Sequence, residues 1–76
     1  MGRSFKLQDF LSDGKVVSTV KLSYPINGGI YETLVFPNQN NFTDLDSDRY
    51  MTRDEAKRGH KKMINKWSVK SLESEK

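Results

Sequence analysis

The chain has no cysteine, and among its 76 residues it has only one histidine, one tryptophan and two prolines. Without cysteine there are no disulfides and no thiolate metal sites, two of the staples that small domains use. The absence suits a reducing compartment. No apolar run approaches the roughly 18 residues that a membrane span requires. No apolar signal region follows Met1-Gly2-Arg3-Ser4. These absences lead to the expectation of a soluble protein of the cytoplasm that does not engage membranes. Residues 1–68 would form one domain, and 69–76 a flexible tail. A chain this short buries only about 60% of its unfolded surface, so its core must be small.

Charge is present but unevenly placed. Residues 1–48 carry four bases and six acids, whereas residues 49–70 carry eight bases and two acids. The formal net charge of +3 therefore sits almost entirely on one late segment.

That segment reads as a helix over about 52–67. Thr52 is an N-cap, and Glu55 three residues later completes a capping box. Asp54 and Glu55 face the positive end of the helix dipole. Met51 is placed to staple onto Ala56. Ala56, His60, Met63, Ile64 and Trp67 recur at spacings of three and four and form one apolar face. Arg53, Lys57, Arg58, Lys61, Lys62 and Lys66 form a basic face directed outward. Gly59 costs up to about 1 kcal/mol against Ala in a helix, unless it lets the helix approach a strand closely.

Upstream, the pattern is β. Val16, Ser18, Val20, Leu22 and Tyr24 share one parity, with Val17 the exception, so Lys15 to Tyr24 reads as a strand with its even positions inward. Ile30 to Phe36 reads as a second strand. Pro25 to Gly29 between them are turn formers. The two strands predict an antiparallel hairpin over about 15–36. Placing Val20 and Leu22 on the face of Leu34 and Phe36 requires paired residue numbers with an even sum, which favours an odd-length loop. Tyr31 and Val35 would then lie on the outer face, either covered by another part of the chain or forming a sheet contact surface. Ser4 to Asp13 is compatible with a strand or a helical turn. Asn38 to Asp48 reads as irregular, anchored by Phe42 and Leu45. The fold class is α+β: a small antiparallel sheet of two to four strands with the C-terminal helix packed on it.

Few motifs carry chemistry. His60 lies on the apolar helix face with no partner apparent in the sequence, so its plainer reading is structural. Asp44, Asp46 and Asp48 place carboxylates at alternate positions, and Glu55 is the twelfth residue counted from Asp44. That spacing resembles a calcium loop of the EF-hand type. Against it, Arg49 occupies the place of the required glycine, no helix enters the loop, and Glu55 is committed to the cap. The plainer reading is a solvated acidic loop, and no metal or cofactor is expected.

Tyr31-Glu32-Thr33-Leu34-Val35-Phe36, then Asp48-Arg49-Tyr50-Met51-Thr52, then Glu55-Ala56 and Gly59-His60 resemble small phage and prophage proteins. In these a YETMVF-like strand precedes an RY-x-T-x-EA-xx-GH helix start. The likeness spans Ile30 to Trp67. It departs at Leu34, where such proteins carry methionine, and at Arg53-Asp54, where they begin the helix with acids. That family has no established activity, so the resemblance implies a phage-type origin and a bacterial host cytoplasm. It also implies that Arg49, Tyr50, Gly59 and His60 work together, with Gly59 permitting close packing and Tyr50 and His60 hydrogen-bonding the helix to the sheet.

The expected function is that of a non-enzymatic accessory protein that binds another protein, whether a host factor, a virion component or itself. The alternative is nucleic-acid binding through the basic helix face, because clustered Lys and Arg neutralise phosphates. An enzyme built around His60 and Tyr50 ranks third.

Overall fold

The computed structural model describes residues 5–26 and 28–68; the tail expected at 69–76 lies outside them. Four strands, β1 (Lys6–Phe10), β2 (Val16–Ile26), β3 (Gly29–Phe36) and β4 (Asp46–Tyr50), precede one helix, α1 (Arg53–Trp67). The strands form an antiparallel meander in the order β1-β2-β3-β4. The helix packs across β2, β3 and β4 on one face.

The helix starts as its residues dictate. The Glu55 amide donates to Thr52 Oγ1 at 3.1 Å, and Glu55 Oε1 accepts from the Thr52 and Met51 amides at 3.3 and 3.2 Å. Three orphan amides at the entry are thereby satisfied. Met51 does not staple onto Ala56: it is 58% exposed, because β4 runs straight into the cap and leaves it at the sheet edge.

The hairpin has the even sum, with Val16 opposite Phe36 and Val17 opposite Val35. The even sum does not come from an odd loop. The connection is the tight one, with Ile26 opposite Gly29 and Gly28 at φ 83°. An irregularity in β2 between Lys21 and Ile26 then resets the register.

The sheet faces are the reverse of the expected ones. Odd positions of β2 and β3 point under the helix: Val17, Thr19, Thr33 and Val35 are fully buried, and Tyr31 is nearly so. Tyr31 and Val35 are therefore not a contact surface. Val35 packs with Val17 and Met63 in the core, with Leu11, Ile64 and Trp67 around it. The Tyr31 ring meets Phe5 edge to face at 5.4 Å. The inversion has a physical cause. Parity reasoning counts threonine as polar, but Thr19 and Thr33 are centred under α1 and satisfied there by side-chain hydrogen bonds.

Two further differences concern polar segments. The ambiguous N-terminal stretch is strand β1. Asp46 to Asp48, the end of the stretch expected to be irregular, belongs to β4, an edge strand with little apolar content.

Candidate interaction surfaces

The helix is tied to the sheet through polar groups. His60 is 3% exposed. Its Nε2 lies 2.7 Å from Asp9 Oδ2, and its Nδ1 lies 2.7 Å from Thr19 Oγ1, which is 2.5 Å from Thr33 Oγ1. A carboxylate only accepts, so Nε2 donates to Asp9. With a neutral ring, Thr19 donates to Nδ1 and Thr33 to Thr19. Burial pushes the Tyr50 hydroxyl above its ordinary pKa, and the Asp48 charge adds to the effect. Asp9, Thr19 and Thr33 were not recognised as partners of His60 from the sequence. The available signal was their shared odd parity with Val17 and Val35.

Gly59 faces the Tyr50 ring. A Cβ there would overlap the ring Cζ and Oη. The glycine is thus a close approach between helix and sheet, which its propensity cost obscures. Tyr50 and Gly59 meet at this junction, whereas His60 bonds to Asp9 and Thr19, and Arg49 pairs with Glu32 on the other face of the sheet.

Asp9, His60 and Thr19 stand in the order of an acid–base–nucleophile triad. Thr19, however, is wholly buried under the helix and committed to Thr33. In this arrangement its hydroxyl is not presented to a substrate.

The acidic residues do not converge on a cation. Asp46 and Asp48 lie in an extended strand, which spaces alternate carbons by about 6.6 Å instead of wrapping them around an ion. Asp46 accepts from Lys66 Nζ at 2.7 Å and from Trp67 Nε1 at 3.0 Å. These bonds, the lysine's first, hold its carboxyl below the usual carboxylate range. Glu55 serves the cap, and Asp44 is exposed. Among the described residues no group of three or more His, Cys, Asp or Glu is placed to hold a metal ion. The calcium reading of Asp44, Asp46, Asp48 and Glu55 fails on this geometry.

The basic face is present on α1, with Arg53, Lys57, Arg58, Lys61, Lys62 and Lys66 all exposed. Lys66 is paired with Asp46, and Arg53 lies over the Phe5 ring at 5.2 Å. Lys57, Arg58, Lys61 and Lys62 have no ion-pair partner among the described residues. Two clefts, of about 440 and 240 Å³, run together between β4 and α1. Arg58, Lys62 and Lys66 on the α1 wall stand across from Asp46 and Asp48 on the β4 wall.

The edge of β4 is closed by its own acids. The alternate amides of Ser47, Arg49 and Met51 donate to Asp46, Asp48 and Glu55 at 2.9, 2.9 and 3.2 Å. An edge whose donors are already accepted offers a poor template for an added strand.

Among the described residues no element packs over the sheet face opposite the helix, although Val16 on it is only 3% exposed. Its cross-strand rows follow from the register. At one end stand Lys6, Val20, Glu32 and Arg49, the last two ion-paired at 2.7 Å. Gln8, Ser18, Leu34 and Ser47 form the middle row. Phe10, Val16 and Phe36 form the other end. Phe42 reaches in from the β3–β4 connection and meets Phe36 edge to face at 5.8 Å. Phe10 is 58% and Phe42 77% exposed. The open face thus runs from a charged end to an aromatic end that carries no charge.

The fold and these surfaces define a small α+β domain: an antiparallel meander with one helix on one face and an aromatic patch on the other. No protein-family model, no curated protein and no solved structure matches this chain.

Proposed function

We propose that the protein is a small non-enzymatic accessory protein, of phage or prophage type and acting in the cytoplasm of a bacterial host, that works by binding another protein through the open face of its sheet. One observation carries this reading. Among the described residues the sheet is covered on one side only, and the other side ends in Phe10, Phe36 and Phe42, two of them largely exposed. Apolar area concentrated on one face marks a contact surface, because burying it gains about 25 cal/mol per Å². The closed β4 edge favours the face over strand addition. Among the described residues no helix is long and apolar enough to cross a membrane.

Affinity capture from host lysate tests this, with wild type beside the Phe10→Ser/Phe42→Ser double variant. The expected result is a single protein, or the chain itself, retained by the wild type and lost by the double variant at an unchanged melting temperature. Capture of nothing, or of the same set by both, contradicts the reading.

The second reading is nucleic-acid binding through α1. It is favoured by four cations, Lys57, Arg58, Lys61 and Lys62, that have no ion-pair partner among the described residues. Affinity for DNA or RNA would then fall by orders of magnitude from about 50 to about 200 mM salt. No binding at the lower salt removes it.

A further inference from the structure

We propose that the outer edge of β1 takes an extended acidic segment of another protein as an added strand. This contact lies apart from the open face, and each stands or falls alone.

Strand addition is closed at β4 but open at β1. At β4 the outward amides of Ser47, Arg49 and Met51 are accepted by Asp46, Asp48 and Glu55. At β1 the register fixes which groups point out. The Lys21 amide donates to the Phe5 carbonyl at 3.2 Å, and the Leu11 amide to the Lys15 carbonyl at 2.8 Å, so the odd residues bond to β2. In an antiparallel ladder the next residue along turns its amide and carbonyl the other way. Lys6, Gln8 and Phe10 therefore face outward, in a run without a bulge. Among the described residues nothing accepts from these three amides. Such a row is a template for an extended chain.

Charge selects the kind of chain. The helix packs over β2, β3 and β4, and β1 extends beyond it as a shelf with only Leu7 half-buried. The helix runs in the direction of β1. Arg53 lies over the Phe5 ring at 5.2 Å, His60 bonds to Asp9, and Ile64 and Trp67 gather with Leu11 at the core. Arg53, Lys57 and Lys61 follow at intervals of four, each turned only about 40° from the last, so they stay on the flank above the shelf. All three are exposed, without an ion-pair partner among the described residues.

The spacings agree. Steps of four along a helix advance about 6 Å, and alternate residues of a strand about 6.6 Å. An added strand turns every second side chain toward this flank, so carboxylates two residues apart meet Arg53 and Lys57 in turn. Asp9 points to the same side, its side chain 54% exposed, and would repel an acid directly opposite. The partner residue there is neutral.

The probe is a short end-blocked peptide, Val-Glu-Val-Glu-Val-Thr-Val, added to the intact chain. The expected result is slowed amide exchange at Lys6, Gln8 and Phe10, with Ser47 and Arg49 unchanged. Arg53→Glu/Lys57→Glu should bind this peptide about tenfold more weakly and take its lysine-for-glutamate counterpart instead. Both positions are exposed, and an acid at 53 suits the helix dipole, so melting should match the wild type. Methylating the peptide nitrogens that face β1 should abolish binding, whereas methylating the alternate set should spare it.

A peptide that protects none of the three amides overturns the inference, as does binding that survives charge reversal or either pattern of methylation. Protection of the same amides on concentrating the protein alone would give the edge to a second copy. Single-stranded DNA or RNA that shifts α1 where the peptide does not would give the flank to phosphates. Either result also overturns it.

Discussion

Gly59 and Tyr50 show how one residue can be read in opposite ways. As a helix residue Gly59 costs up to about 1 kcal/mol, and replacing it by alanine should help. As the point where α1 meets the Tyr50 ring it admits no Cβ. Overpacking of this kind costs about 1–3 kcal/mol, which exceeds the gain in propensity. Gly59→Ala is therefore expected to lower the melting temperature by several degrees. In a Tyr50→Ala background the same substitution should become neutral or stabilising, so the double-mutant cycle carries the test. Thr19 gives the second prediction at this scale. Thr19→Val keeps the shape but strips the hydroxyl shared by His60 and Thr33, leaving both buried groups short of a partner. That costs about 1–3 kcal/mol by urea titration. A valine variant as stable as the wild type would mean that the network contributes nothing.

At the scale of the element, α1 and the hairpin were legible because their signals are local. The Thr52–Glu55 box, the three-and-four spacing from Ala56 to Trp67 and the turn residues before Gly29 act within a few positions. Strand β4 was not legible: Asp-Ser-Asp-Arg-Tyr has no apolar alternation, and its inward carboxylates are matched by groups about 20 residues away, Asp46 by Lys66 and Trp67. The sidedness of the sheet failed for a related reason. Threonine looks polar until His60 arrives from the helix to satisfy it. The site followed the same division. The basic residues of α1 could be read from spacing, whereas the aromatic row needed the register of three strands and a loop.

The Asp46 contact yields a pH prediction. Its folded pKa is depressed, so its stabilisation is present above the ordinary carboxylate range and is lost as pH falls through the lower folded value. Asp46→Asn should remove part of the acid-side decline in stability. At neutral pH it should cost under about 1 kcal/mol, since Lys66 is exposed. An unchanged acid limb would show that the pair is not maintained in solution.

For the molecule as a whole, the two faces of the sheet divide the work. One carries the helix and a core in which Val17, Val35 and Met63 pack beside a hydrogen-bonded network of Thr19, Thr33 and His60. The other is left open, ending in rings. Domains of this size have little stability to spare, so covering the second face gains binding and stability together. The charge asymmetry places the basic helix as far from that contact as the fold allows. The most direct test is an amide and aromatic NMR map recorded while the protein is concentrated from about 20 μM to 1 mM. Shift changes are expected at Phe10, Val16, Ser18, Leu34, Phe36 and Phe42, with Lys57 and Lys61 unmoved. Changes centred on the helix would contradict the open face as the contact surface, and none anywhere would remove self-association through it.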